Sequence, residues 1–104
     1  MSKYSREAMS AAARILDRLG YTPPDDAQMS RELACFAKAY GDLIAEGYGS
    51  EAMTWFDGQI LKRCDIVRRR PARNRQQYFR KVFENLAHDM RAKFHHARAS
   101  PRAG

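Results

Sequence analysis

Apolar residues recur at steps of three and four along most of this chain, and no segment alternates apolar and polar residues as a strand does. This spacing places apolar side chains on one face of a helix with about 3.6 residues per turn. Four segments show the pattern, separated by short stretches that contain glycine or proline. The pattern predicts an all-α protein built from four amphipathic helices.

The first two helices are predicted from their apolar residues and from the signals at their ends. The first runs from about Ser5 to Leu19, and Gly20 supplies a C-terminal stop. The second is expected to begin near Pro23 with Thr22 as its cap, since proline suits the first helical position. It ends at Gly47-Tyr48-Gly49. The predicted core residues are Met9, Ala12, Ile15, Leu16 and Leu19 in the first helix and Met29, Leu33, Phe36, Tyr40, Leu43 and Ile44 in the second.

The third and fourth helices are predicted in the same way. Ser50 is expected to cap the third, which must end before Pro71 because the residue before a proline disfavours helical geometry. Asn74 and Gln77 form a capping-box pattern for the fourth, which is expected to reach about Ala97. The predicted core residues are Met53, Phe56, Ile60, Cys64 and Val67 in the third helix and Phe79, Val82, Phe83, Leu86, Met90 and Phe94 in the fourth.

A length of 104 residues, 44% of them apolar, allows one domain. We expect residues 1–97 to form a compact four-helix domain, as a bundle or an orthogonal array with short connections, and residues 98–104 to form a flexible basic tail. Because so small a core buries limited apolar area, a homodimer is an open alternative. Cys35 and Cys64 lie far apart within apolar patterns and are predicted to be small buried residues.

Several functional classes are disfavoured by what the sequence lacks. It has no apolar run of about 18 residues and no secretory signal, so we expect a cytoplasmic protein without a membrane partner. It has no nucleophile motif and no glycine-rich phosphate loop, so we expect neither an enzyme nor a cofactor. His88 and His95 are seven residues apart, about 10 Å along a helix axis, and together with His96 they are not expected to hold a metal.

Charge is divided unequally between the two parts of the chain. Residues 1–58 contain six lysines and arginines against nine acidic residues, a formal charge of −3. Residues 59–104 contain thirteen against three, a formal charge of +10. Such an asymmetry predicts that the second part binds an anionic partner, either nucleic acid or an acidic protein surface.

A second row of residues on the third helix is a candidate binding face. Spacings of four, three, four and three connect one aromatic, one amide, two cationic and one aliphatic residue on the side away from the predicted core. Two interpretations remain open. Either this row is a recognition face, or its two large apolar members are buried between helices while its cations reach solvent. The row consists of Trp55, Gln59, Lys62, Ile66 and Arg69.

Arginines are concentrated where the third helix gives way to the fourth. We call residues 68–75 the arginine corner; its five arginines are Arg68, Arg69, Arg70, Arg73 and Arg75. The planar guanidinium binds phosphate through two hydrogen bonds, and a helix N-terminus attracts anions. Arg80, Lys81 and Arg91 extend the predicted basic surface along the fourth helix, where Glu84 is expected to pair with Arg80.

Two functions fit these features. The first is a non-enzymatic regulatory module that binds DNA or RNA through its basic half, with little direct readout of bases. Direct readout is disfavoured because Glu51 and Asp57 lie near the start of the third helix, where a recognition helix would contact bases. The alternative is a small helical antagonist, an anti-activator or inhibitor that binds and blocks a transcription regulator or a nucleoprotein complex.

Overall fold

The computed structural model describes residues 4–71 and 75–94 and shows an all-α fold. The helices are α1 (Arg6–Leu19), α2 (Asp26–Ala45), α3 (Ser50–Val67) and α4 (Arg75–Lys93). They pack into a compact four-helix bundle, in which α1 contacts α2 and α3, and α4 contacts mainly α3. The predicted fold class and the number of helices are confirmed. The predicted tail, residues 98–104, lies outside the described residues.

The ends of α1 match the sequence prediction. The Ser5 hydroxyl accepts a hydrogen bond from the Ala8 N–H at 3.1 Å, which caps the N-terminus. Gly20 adopts a left-handed conformation with φ of 70°, and its N–H donates to the Asp17 carbonyl at 3.0 Å. The Tyr21 N–H donates to the Leu16 carbonyl, so the last carbonyls of α1 are satisfied and the chain turns sharply toward α2.

The predicted starts of α2 and α3 are wrong. The helix α2 begins three residues later than expected, because the Asp25 carboxylate accepts from the Gln28 N–H at 2.8 Å and outcompetes Thr22 as the cap. At α3, Ser50 is the first helical residue and Gly49 is the N-cap, without a side-chain hydrogen bond. The proposed capping box of α4 depends on Asn74, which lies outside the described residues.

Aromatic rings join α2, α3 and α4 at the centre of the bundle. The Phe36 ring lies 6.1 Å, between centroids, from both Phe79 and Phe83, and the Phe56 ring meets Phe83 edge-on at 5.2 Å. Three of the six buried residues of α1 are alanines instead, and these small side chains allow its backbone to approach α2 closely. A Cβ placed on Gly41 of α2 would lie 3.8 Å from the Ala8 Cβ.

Most predicted core residues are buried, but some lie at its margin. Cys64 is buried as predicted, whereas Cys35 is only half-buried. The half-buried members of the predicted stripes lie where a helix faces solvent on one side, because each helix of a small bundle has few neighbours to cover it. They are Met9, Met29, Leu33, Ile44, Met53, Val82 and Phe94.

Candidate binding face on α3 and α4

The second row of α3 faces solvent over most of its length. Lys62 and Ile66 are exposed, on the opposite side of the helix from the buried Ile60 and Cys64, and Arg69 is exposed two residues after the end of α3. Ile66 is 54% exposed, the highest value for a large apolar residue among those described. The burial interpretation is therefore wrong for Ile66. We call Lys62, Ile66 and Arg69 the α3 basic row.

Trp55, at the other end of the same face, contributes to the packing of α3 against α4. Its ring is half-buried and lies 5.7 Å from the Phe94 ring, between centroids, so the start of α3 packs against the end of α4. The Lys93 ammonium lies 5.9 Å from the Trp55 ring and 5.6 Å from the Phe94 ring. Gln59 is also half-buried. The burial interpretation thus applies in part to Trp55.

Within the arginine corner, Arg68, Arg69 and Arg70 are exposed but have different surroundings. The Arg70 guanidinium carbon lies 4.0 Å from the centroid of the Tyr78 ring, a cation–π contact between the end of α3 and the first turn of α4. The Arg68 side chain passes close to Gly20, where a Cβ would lie 3.6 Å from its Nε. Arg73 lies outside the described residues.

Arg75 of α4 joins its helix to the end of α1 and to the connection after α3 through its side chain. Its Nε donates to the Arg70 carbonyl at 2.9 Å, and its Nη1 donates to the Leu19 carbonyl at 3.2 Å. The Leu19 carbonyl lies at the C-terminal end of α1, where backbone acceptors lack partners within the helix, and the Arg70 carbonyl lies three residues after α3. The structure therefore gives Arg75 a clear role in the fold.

Arg80 and Arg91 of α4 pair with acidic residues in α2 and at its C-terminal cap. The Nη2 of Arg80 lies 2.7 and 2.8 Å from the two carboxylate oxygens of Glu32, which is 4% exposed. The expected Glu84–Arg80 pair is thus replaced, because Glu32 needs a cation to offset its burial. Arg91 binds Glu46 through two nitrogens, Nε at 2.9 Å and Nη2 at 2.7 Å. Hydrogen bonds to these carboxylates raise the pKa of both arginines.

A groove between α3 and α4 is lined by residues that the sequence analysis did not select as candidates for binding. Its lining includes Arg63 of α3 and a row on α4 with spacings of four, three and four: Tyr78, Val82, Asn85 and Asp89. Tyr78 is 41% exposed, although it directly precedes the buried Phe79. Its position off the apolar stripe was a signal in the sequence that this aromatic residue is not part of the core. We call this site the α3–α4 groove.

A second cavity, of about 240 Å³, lies where α1, α2 and α3 meet. On its lining, the Tyr40 hydroxyl donates to Asp57 Oδ1 at 2.8 Å. Burial and this hydrogen bond raise the pKa of Tyr40. Nearby, the Cys64 thiol points to the Ile15 carbonyl at 4.0 Å, and burial raises the pKa of this thiol to about 12. Both groups therefore stay protonated further into alkaline solution than they would in an unfolded chain.

The remaining structural findings concern metals and membranes. Across residues 4–71 and 75–94, no three histidine, cysteine or acidic side chains come together as a metal would need. In the same part of the chain, no helix has both the length and the apolar character required to cross a membrane. No protein-family model, curated protein or solved structure matches the chain.

Proposed function

We propose that this protein is a cytosolic, non-enzymatic regulatory module that binds nucleic acid through α3 and the arginine corner. The observation that carries the proposal is the α3 basic row, which projects Lys62 and Arg69 into solvent next to Arg68 and Arg70. Cations grouped at the last turns of α3 and on the residues that follow it can contact successive phosphates, and releasing counterions from the nucleic acid then drives binding.

Ion pairs and hydrogen bonds within the protein reduce the number of cationic side chains that can be assigned to phosphate contact. Arg80 and Arg91 are engaged by Glu32 and Glu46, and Arg75 holds helix ends. By contrast, Lys62, Arg63, Arg68, Arg69 and Lys81 are exposed, and none lies within ion-pair distance of an acidic side chain among the described residues. We therefore assign phosphate contact to these five and to Arg70.

Contacts to phosphate carry no sequence information, so the proposed binding tolerates many sequences. The N-terminal part of α3 carries Glu51 and Asp57, so it would repel phosphates if it entered a groove of a nucleic-acid duplex end-on. The C-terminal part of α3, with Lys62, and the residues after it, with Arg69, are therefore assigned to the backbone of the nucleic acid.

The test is a fluorescence-anisotropy titration of labelled duplex and single-stranded DNA and RNA at about 50 and about 200 mM salt. The test variant changes Lys62→Gln and Arg69→Gln. The control variant removes the same charge from α1 and α2 by Arg6→Gln and Arg31→Gln, at exposed positions. Arg75, Arg80 and Arg91 stay unchanged because the fold uses them.

We expect the wild-type protein to bind with a steep salt dependence. Losing two phosphate contacts should lower the slope of log affinity against log salt by about two, whereas the control should shift affinity slightly and leave the slope unchanged. Equal losses in both variants would mean that only net charge matters. Absence of wild-type binding at low salt would exclude the proposal.

A protein antagonist is the second candidate, and the exposure of Ile66 favours it. An exposed aliphatic side chain between Lys62 and Arg69 resembles the apolar centre and charged rim of a protein interface. Replacing Ile66→Ser separates the two functions: a protein interface would lose most of its affinity, and phosphate binding would change little. A homodimer through this face is disfavoured because it would bring like charges together.

A further inference from the structure

The α3–α4 groove combines a stacking surface with hydrogen-bonding groups next to the proposed phosphate contacts. Its volume is about 300 Å³, at the lower end of the range for small-ligand sites. Tyr78, Val82, Asn85 and Asp89 line it from one face of α4, and Arg63 lines it from α3. The groove thus offers an aromatic ring, an aliphatic side chain, an amide, a carboxylate and a guanidinium within one small site.

The Tyr78 ring is the candidate stacking surface, and a base must use the face opposite the Arg70 guanidinium. It is 41% exposed although the next residue is buried in the core, and the Arg70 guanidinium lies 4.0 Å from its centroid. This contact holds the ring beside the arginine corner, where phosphates are proposed to bind. Stacking on an aromatic side chain accepts any base, and it requires a base that is not already stacked within a duplex.

We propose that the α3–α4 groove receives one unstacked base of a single-stranded nucleic acid, with the base on Tyr78 and the adjoining phosphates on Arg63, Arg69 and Arg70. This inference rests on the proposed function and makes it more specific, since it identifies the single strand as the preferred ligand. The positive charge beside an aromatic, partly apolar groove matches the polyanionic backbone and flat bases of such a strand.

The polar groups of the groove also favour one kind of base. Asp89 supplies a carboxylate, which accepts hydrogen bonds but cannot donate them while ionised. Guanine presents two adjacent N–H donors on its pairing edge, whereas thymine and uracil present one N–H between two carbonyls that a carboxylate repels. We therefore expect the groove to prefer guanine to thymine or uracil.

The experiment compares three labelled probes by anisotropy: an oligothymidine of about nine nucleotides, the same strand with one central dG, and a random duplex. Three variants are measured, Tyr78→Ala, Tyr78→Phe and Asp89→Asn. Tyr78→Phe keeps the ring and serves as the matched control. Circular dichroism checks that each variant is folded. We expect all three to fold, because Tyr78 and Asp89 are exposed.

Tyr78→Ala should weaken binding of both single strands about tenfold and change duplex affinity less than about twofold, while Tyr78→Phe binds as the wild type does. Asp89→Asn should abolish the preference for the strand with dG. Equal effects of Tyr78→Ala on single strand and duplex, or none, would overturn the base site but leave phosphate binding intact. Failure of the wild type to bind any probe would instead overturn the proposed function itself.

Discussion

Arg75 shows that neighbouring arginines in one cluster can have different roles. Its side chain donates to the Leu19 carbonyl at the end of α1 and to the Arg70 carbonyl after α3, whereas Arg69 projects into solvent six residues earlier. A guanidinium has five donors in a fixed plane, so one side chain can satisfy acceptors on two separate segments. Both segments are thereby held next to the first turn of α4.

Replacing Arg75→Ala should lower the free energy of unfolding by about 1 kcal/mol. Hydrogen bonds from a charged donor contribute about 1.5–3 kcal/mol, and removing a cation from a helix N-terminus returns about 0.3–1 kcal/mol. Arg69→Ala is the control and should change stability by less than about 0.5 kcal/mol, since its side chain is exposed. Urea unfolding followed by circular dichroism measures both. Similar stabilities of the two variants would show that the hydrogen bonds of Arg75 do not stabilise the fold.

The sequence could not separate these roles because the partners are distant in the chain. Arg75 reaches a carbonyl 56 residues away, Arg80 a carboxylate 48 away and Arg91 one 45 away. Spacing along one helix reveals only local neighbours, which is why Glu84 was expected to pair with Arg80. By contrast, the exposure of Lys62 and Arg69 follows from helical periodicity alone, and it was predicted correctly.

At the scale of the helix, interiors were predictable and ends less so. The apolar periodicity located all four helices, because burial of one face fixes which residues repeat. The start of α2 was missed because Thr22 and Asp25 are both good N-cap residues, and the sequence alone does not rank them. The start of α3 was missed because Gly49 occupies the cap position without contributing a side chain.

Gly49 offers a direct way to strengthen α3. Its backbone is extended, with φ of −76° and ψ of 175°, and a Cβ there would meet no atom within 4 Å. Gly49→Asp should therefore raise the free energy of unfolding by about 0.5–1 kcal/mol, through a cap hydrogen bond, a favourable helix dipole and a less flexible unfolded chain. Thermal unfolding followed by circular dichroism would show a higher midpoint.

The control is the same substitution two residues earlier. A Cβ at Gly47 also has open space, but its φ of +86° is a left-handed conformation that side chains disfavour. Gly47→Asp should therefore lower stability by about 1 kcal/mol. An increase in both variants would point to the added negative charge instead of the cap.

For the whole molecule, the unequal distribution of charge also helps to join the two halves. Glu32 and Glu46 of the acidic first part bind Arg80 and Arg91 of the basic second part, so α2 and α4 are connected by two ion pairs. The excess of basic residues beyond these pairs is what the proposed binding face presents to a ligand. Net charge was visible in the sequence, but its division between internal pairs and surface required the folded chain.

Packing also determines how the stability of the whole molecule depends on pH. Cys64 is fully buried, and its pKa rises from 9.0 to about 12, while the pKa of Tyr40 rises from 10.0. In the unfolded chain both groups ionise at lower pH than in the folded protein, so unfolding releases protons in alkaline solution. The stabilising contribution of these two groups is then fully present below about pH 9 and falls as pH rises, by up to about 1.4 kcal/mol per pH unit for each group.

Urea unfolding between about pH 8 and about pH 11 should show this fall in the free energy of unfolding. Cys64→Ala should reduce the slope from about pH 9 upward, and an unchanged slope would show that the buried thiol is not its source.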